Sequence, residues 1–422
     1  MFNFLNRNNL RLVWKVFSGI ILSQLIPLVF IPIFSRLFSP DDYALLGITM
    51  VLSNILYEFY ALKYDKVIVI SSNHANAINA AYFVAMIGVL LMIVVYLFES
   101  CMIIGGIADD LKKIHSDMIF SLLILPLLTL FMSLTNVFNL WFQRLQLTNK
   151  IVNLKILQMI MITFITLLLG ILKYPKGLII GYFLGWMMTF LIGLFFLIRS
   201  DFKISLYSYE IIKYIAKRYI KFPIYTLFPS LLYVLALSLP YIVVNKQYGN
   251  INGGFFSMIK QITSVPLSYF SLAYTQIYLR HFSKQILYKK QVSPLLKEIV
   301  FPLLIISIIV ISILWIGRNS LLRWLLGEKW NGIGELASLY VFAAIFQMIF
   351  TSVSIFFSAS ENVRIDGSLK FVYFIMILGV FLIEKKSFQE FIVLYTIVET
   401  VFYLFAILIT FYLTVRYDKK NS

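Results

Sequence analysis

Residues 16–35 read VFSGIILSQLIPLVFIPIFS, without a single charge, and residues 222–245 repeat the pattern as FPIYTLFPSLLYVLALSLPYIVVN. An uncharged apolar run of about 18 residues or more is long enough to cross the hydrocarbon core of a bilayer as a helix. Similar runs fill the chain, which is 61% apolar and only 13% charged over 422 residues; a soluble domain carries roughly a quarter charged residues. Spans are expected near 13–35, 43–62, 78–98, 118–140, 152–172 and 177–198, then near 222–245, 251–276, 297–316, 336–358, 367–383 and 391–415. In lipid every backbone N–H and C=O must be paired internally, which helices achieve and short alternating strands achieve only in a closed barrel. Continuous apolar runs therefore predict an all-α polytopic membrane protein with about 12 transmembrane helices.

Lysine and arginine orient the spans. With both termini on one side, that side collects Arg7, Arg11, Lys15, Lys63, Lys66, Arg144, Lys150 and Lys155, followed by Arg199, Lys213, Lys217, Arg218 and Lys221 and the basic C-terminal end. The opposite side holds fewer than half as many and carries Asp41, Asp42, Asp109 and Asp110 instead. Both termini are thus expected in the cytoplasm. The net charge of +17 reads as a topology signal with attraction to anionic lipid, not as a nucleic-acid surface. Arg7 to Lys15 followed by an apolar run has the outline of a signal peptide, but the run is too long and ends at Pro40-Asp41-Asp42, so a retained first span is expected. The single cysteine, Cys101, excludes an internal disulfide. His74, His115 and His281 lack metal-ligand spacing, and no Gly-rich loop ends in Lys-Ser or Lys-Thr, so neither a metal nor bound ATP is expected. Gly105-Gly106 and Gly253-Gly254 read as turn and packing glycines.

The longest basic loop, residues 200–221, divides the chain into halves of six spans, 1–205 and 206–422. Residues 209–219 fit either an amphipathic helix on the inner leaflet or a solvated linker. The first span of each half carries prolines, Pro27 and Pro32 in one and Pro223, Pro229 and Pro240 in the other, and each leads into an aromatic and small-residue stretch. Proline bends a helix, and interrupted helices at matching places in two halves point to a transporter.

Four segments carry a family resemblance. Ile31-Pro32-Ile33-Phe34-Ser35-Arg36-Leu37-Phe38-Ser39-Pro40-Asp41-Asp42-Tyr43 resembles the end of the first helix in Wzx-type polysaccharide flippases of the multidrug/oligosaccharidyl-lipid/polysaccharide (MOP) exporter superfamily, with Ala44 where the family has glycine. Ala61-Leu62-Lys63-Tyr64-Asp65-Lys66 is similar to the family's Arg-Tyr-acid segment, with Lys63 at the Arg position. Lys221-Phe222-Pro223-Ile224-Tyr225 and Gly253-Gly254-Phe255-Phe256-Ser257-Met258 follow in register. The resemblance implies a MATE-like fold of two six-helix lobes around a central cavity, in the inner membrane of a bacterium. It implies as substrate an oligosaccharide repeat unit on undecaprenyl pyrophosphate, turned to the outer leaflet by alternating access for O-antigen or capsule assembly. Membrane lipids and glycan polymerase machinery are the implied partners.

Such a substrate needs cations for its diphosphate, and charges inside a span are functional suspects because burying one costs about 2.5–3.5 kcal/mol. Lys260, deep in the eighth span, is the first candidate for the diphosphate, the alternative being a lysine paired with an acid. Arg36 at the end of span one is a gate or diphosphate contact, or an arginine paired with Asp41 or Asp42. Lys63 and Lys66 at the end of span two could meet an entering diphosphate, and Lys63 with Asp65 could form a gate ion pair. Glu58 and Glu399, the acids inside spans, could take a coupling H+ or Na+, or be held by a lysine. No other cofactor is expected. The rival readings are a cation-coupled drug exporter of the same superfamily and a membrane glycan polymerase or ligase, whose large outer loop this chain lacks.

Overall fold

Where Pro40-Asp41-Asp42 interrupts the apolar pattern, one helix stops and the next begins. Helix α1 (Arg7–Leu37) gives way to α2 (Pro40–Ala61), with Ser39 and Asp42 capping each other across the junction: the Ser39 amide and hydroxyl donate to Asp42 Oδ2 at 2.9 and 2.8 Å, and the Asp42 amide donates back to Ser39 Oγ at 3.3 Å. Proline occupies the first helical position, where its missing N–H costs nothing. This computed structural model describes residues 7–71, 73–104, 116–202, 206–318, 320–360, 362–383 and 386–421; Gly105, Gly106, Asp109, Asp110 and His115 lie outside them.

The described residues form helices joined by short turns, without strands. After α2 come the short α3 (Lys66–Ile70), then α4 (His74–Ile104), α5 (Ser116–Arg144), α6 (Thr148–Ile171), α7 (Gly177–Ile198) and α8 (Tyr209–Arg218). A π-turn over Pro223–Leu227 leads into α9 (Phe228–Tyr248), α10 (Asn250–Ile262), α11 (Ser264–Leu287) and α12 (Ser293–Gly317). The chain closes with α13 (Leu321–Leu326), a 3-10 turn at Glu328–Trp330, α14 (Ile333–Val353), α15 (Ile355–Ala359), α16 (Val363–Leu382) and α17 (Phe388–Asn421). Ten of the described helical segments are long and apolar enough to span a membrane. With α1 and the α10–α11 pair they account for the twelve expected segments.

The eighth expected span, 251–276, is not one helix. It breaks at Thr263, whose backbone lies at φ −110° and ψ −71°. Pro266 has no N–H to give the Ile262 carbonyl, and its ring crowds that same oxygen, so the i→i−4 ladder fails there. The Thr263 hydroxyl turns back to the Ile259 carbonyl at 2.5 Å.

The chain forms two compact units. One comprises Met1–Phe30 with Leu45–Ser238, the other Ile31–Ala44 with Leu239–Ser422. In the first, α6 and α7 pack through a ladder of small residues on α7, where Gly177, Gly181, Gly185, Thr189 and Gly193 recur every fourth position and are all buried. Small residues let helix backbones approach in lipid, where no hydrophobic force drives them together. Helix α8 also belongs to this unit. Ile212 and Ile215 are buried, the latter in the aromatic cluster of Tyr64, Trp141 and Phe142. The Asn79 side chain donates to the Leu206 carbonyl at 2.8 Å and accepts the Ser208 amide at 2.7 Å, and Tyr64 donates to the Ala216 carbonyl at 3.0 Å. The amphipathic segment therefore spends its apolar face on the protein and leaves Tyr209, Lys213 and Lys217 exposed.

In the second unit, α17 packs along α14, and Asp418 near its end accepts the Val292 and Ser293 amides at 2.7 and 2.9 Å, capping the start of α12.

Candidate functional site

The break at Thr263 leaves Lys260 in the last turn of α10, where unpaired carbonyls favour a cation. The Lys260 ammonium donates to the Tyr340 hydroxyl and, at 3.0 Å, to the Tyr395 hydroxyl, and lies 3.6 Å from Glu399 Oε2. Those two hydroxyls pass the contact on. Tyr340 donates to Glu399 Oε2, and Tyr395 and Tyr373 donate to Oε1, each at 2.6 Å. Four helices, α10, α14, α16 and α17, thus meet at one carboxylate. Tyr340, Tyr373, Tyr395 and Glu399 are wholly shielded from solvent.

The rings contribute as well as the hydroxyls. Tyr340 and Tyr395 lie nearly parallel, with centroids 6.0 Å apart, and Lys260 Nζ sits 4.5 and 4.8 Å from them and 5.6 Å from the Phe256 ring. A desolvated ammonium over aromatic faces gains about 2 kcal/mol. Taking each ion out of water costs several kcal/mol, and only a partner plus saturated hydrogen bonding offsets it. Here every oxygen of the carboxylate is engaged. Counted from the start of α17, Glu399 lies about 17 Å along the helix axis, inside the span.

A second group forms in the first unit at the end of α2. Leu62 and Lys63 adopt left-handed backbone at φ 44° and 61°, which folds Lys63 back onto Glu58 at 2.6 Å. Lys63 therefore turns to Glu58 and not to Asp65. Asp65 Oδ2 instead accepts the Asn136 side-chain amide at 3.1 Å, and Lys66 is exposed at the first position of α3. Arg144 donates to the Ile68 carbonyl at 3.1 Å and to the Ser71 carbonyl, closing the end of α3. Burial pushes the Asp65 carboxyl above its usual range, with Lys63 and Lys66 pulling the other way. A carboxyl raised in the folded state binds its proton more tightly there than in the unfolded chain. Its destabilisation is therefore present above the folded pKa and fades as pH falls through the folded value toward the unfolded one. Asp65→Asn should raise the thermal midpoint in detergent near neutral pH and lose that gain in mild acid; an equal gain at both pH values would disprove the link to ionisation.

Arg36 forms a separate site in the second unit. It donates to the Trp324 carbonyl at 2.6 Å, while Asp42 is engaged by Ser39. Its own carbonyl accepts Lys329 Nζ at 3.2 Å, and the Trp330 indole donates to the Ser35 carbonyl at 2.9 Å. The structure thus joins Lys260 to Glu399 and Glu58 to Lys63 beside Asp65. The three tyrosines around Glu399 were not nominated by the sequence. Tyr395, four residues before Glu399, shares its helix face, but Tyr340 and Tyr373 come from other helices and carry no local signal.

Among curated protein sequences none matches. The family model described as "Polysaccharide biosynthesis protein" matches residues 33–335. A solved inward-facing multidrug resistance MATE transporter of the MOP superfamily is similar over 97% of this chain and 96% of its own, with a TM-score of 0.66 at 14% identity. A MATE protein solved in complex with MaD3S gives a TM-score of 0.59 at 16% identity, and an outward-facing MATE transporter 0.58 at 12%, each over 97% of this chain and 96% of its own. At such identities the likeness establishes the fold. The chain belongs to the polysaccharide biosynthesis protein family and has the fold of the MATE transporters.

Proposed function

We propose that the protein is a flippase that turns an oligosaccharide repeat unit, linked to undecaprenyl pyrophosphate, from the cytoplasmic to the outer leaflet by alternating access. The observation that carries this reading is a polysaccharide biosynthesis sequence on a transporter fold. A lipid-linked glycan has a polar head that must avoid hydrocarbon and a polyprenyl tail that can remain in it, which suits a helical transporter and needs no catalytic residue. The excess of lysine and arginine on one side supports cytoplasmic termini in the inner membrane of a bacterium.

In this reading Lys260 and Glu399 couple transport to an ion. Protonating Glu399 would cancel the charge that holds Lys260, and so loosen four helices at once. The geometry favours H+ over Na+. A bound Na+ needs several free oxygen ligands, whereas both Glu399 oxygens already accept tyrosine hydroxyls and the Lys260 ammonium sits beside them.

The test is reconstitution of the purified protein in liposomes with a fluorescent undecaprenyl-pyrophosphate oligosaccharide, scored by chemical quenching of the outer leaflet. Acceleration over empty liposomes is expected, and it should respond to an imposed pH gradient and not to a Na+ gradient. No acceleration would remove the flippase reading, and efflux of cationic drugs by the same vesicles would put the exporter reading in its place.

A further inference from the structure

Asp418 caps the start of α12 from the end of α17, so the other end of α12, 25 residues and about 37 Å along the axis, lies at the opposite membrane surface. There the end of α12, α13 and the start of α14 enclose a cleft of about 250 Å3, whose lining includes Arg318, Arg323, Trp330 and Glu335. The walls approach because Gly334 has no side chain: a Cβ there would collide with the Arg318 carbonyl. A water molecule takes about 30 Å3, so the cleft holds a group with the bulk of about eight waters. It falls below the roughly 300–1,000 Å3 of pockets that take drug-sized molecules, and an oligosaccharide does not fit it.

The charges lining the cleft do not cancel in place. Arg323 gives Nε and Nη2 to Glu328 at 2.6–2.9 Å, which leaves Nη1 outside that pair. Arg318 meets no carboxylate among the described residues, and its guanidinium lies 5.5 Å from the Trp315 ring. Glu335, in the first turn of α14, pairs with no cation among them. Glu328 offsets Arg323, so one cation and one acid line the same cleft without closing on each other. That pattern fits a zwitterion, with a phosphate for the guanidinium groups and an ammonium for the carboxylate.

The surroundings are apolar. Trp315 and Ile316 stand near the end of α12, Leu321 and Trp324 belong to α13, and all four are exposed, Ile316 by 86% and Trp324 by 70%. At the end of a helix long enough to span a membrane such side chains meet lipid, and tryptophan concentrates at headgroup level. A headgroup therefore reaches the cleft with its acyl chains still beside α12.

We propose that this cleft binds the headgroup of an amine-bearing phospholipid of the phosphatidylethanolamine type, its phosphate on Arg318 and on Nη1 of Arg323, its ammonium on Glu335. With cytoplasmic termini, the lipid belongs to the outer leaflet. The same corner holds the end of α1, since Arg36 donates to the Trp324 carbonyl and Lys329 to the Arg36 carbonyl, so the bound lipid steadies that junction too. The site does not involve the transported substrate, and it stands or falls apart from the flippase reading.

The test titrates the full chain in detergent, by calorimetry, with short-chain phosphatidylethanolamine, with phosphatidylglycerol, which lacks the ammonium, and with inorganic phosphate. Phosphatidylethanolamine should bind at least about tenfold more tightly than either, the scale of one charge-assisted hydrogen bond. Arg318→Gln should weaken it by a similar factor. Glu335→Gln should do the same while leaving phosphatidylglycerol unchanged. The lipid-free melting temperature of Arg318→Gln should match wild type, because the side chain is exposed; if it falls, Glu335→Gln decides alone. Equal binding of the two lipids would overturn the assignment, as would wild-type phosphatidylethanolamine affinity in Glu335→Gln. Inorganic phosphate binding as tightly as the lipid would make the cleft a free-phosphate site and overturn it as well.

Discussion

Glu399→Gln should cost about 3–5 kcal/mol of stability, because it strands the Lys260 ammonium inside the protein without its counter-charge. Three tyrosine hydroxyls that now donate to two carboxylate oxygens would share one amide oxygen, and the amide N–H groups would face donors. Lys260→Met should cost less. The carboxylate it leaves behind keeps three hydroxyl donors, and methionine fills a similar volume among the same rings. The double variant should recover part of the loss, with a coupling of about 0.5–3 kcal/mol between the two positions. Chemical denaturation in detergent, followed by the buried tyrosines, measures all four proteins. If Glu399→Gln unfolds at the wild-type midpoint, the pair is not a structural bond and the coupling proposal loses its basis.

Gly185→Leu should be comparably damaging for a steric reason. A Cβ at 185 would stand 2.7 Å from Ile162 Cα and 2.9 Å from its backbone nitrogen. At 181 the same distances apply to Thr166. Backbone cannot rotate away as a side chain can, so α6 and α7 must separate, and overpacking typically costs about 1–3 kcal/mol, with the upper end expected against backbone atoms. The helices carry their own control. A Cβ at Gly367 or Gly379 on α16 meets nothing within 4 Å, so leucine there should be neutral or mildly stabilising through helix propensity. Thermal melts of the three leucine variants separate the two cases. Equal melting temperatures would mean that the α6–α7 contact is looser than described.

The fold was legible because bilayer length and backbone satisfaction leave few alternatives to a row of helices. The junction at Pro40 could be read residue by residue, as could the proximity of Tyr395 to Glu399 on one helix. Other features could not. Pro126, Pro240 and Pro302 lie inside continuous helices while Pro266 ends one, so a proline alone does not decide a break; the surrounding packing does. Lys155 sits near the edge of its apolar run among the basic residues that orient it, whereas Lys260 is a lone charge deep within one. Neither position names Glu399, which folding brings to Lys260 from α17 and not to Lys155. Lys63 shows the same limit at short range: two left-handed residues, neither of them glycine, decided that its partner is Glu58.

The segment Ile31–Ala44 stands among the residues of the second unit. Trp330 binds it twice, through its indole N–H to the Ser35 carbonyl at 2.9 Å and edge-on to the Tyr43 ring at 5.2 Å, and a Cβ on Gly254 would lie 2.0 Å from the Pro40 carbonyl. In terms of inheritance, neither unit is a continuous stretch of gene. A single recombination in the central loop would deliver a second unit without its own Ile31–Ala44 and give it a stranger's copy. Modules of this protein can be exchanged intact only by crossovers on both sides of that segment as well, which ties the fate of an early stretch of the chain to residues some three hundred positions later.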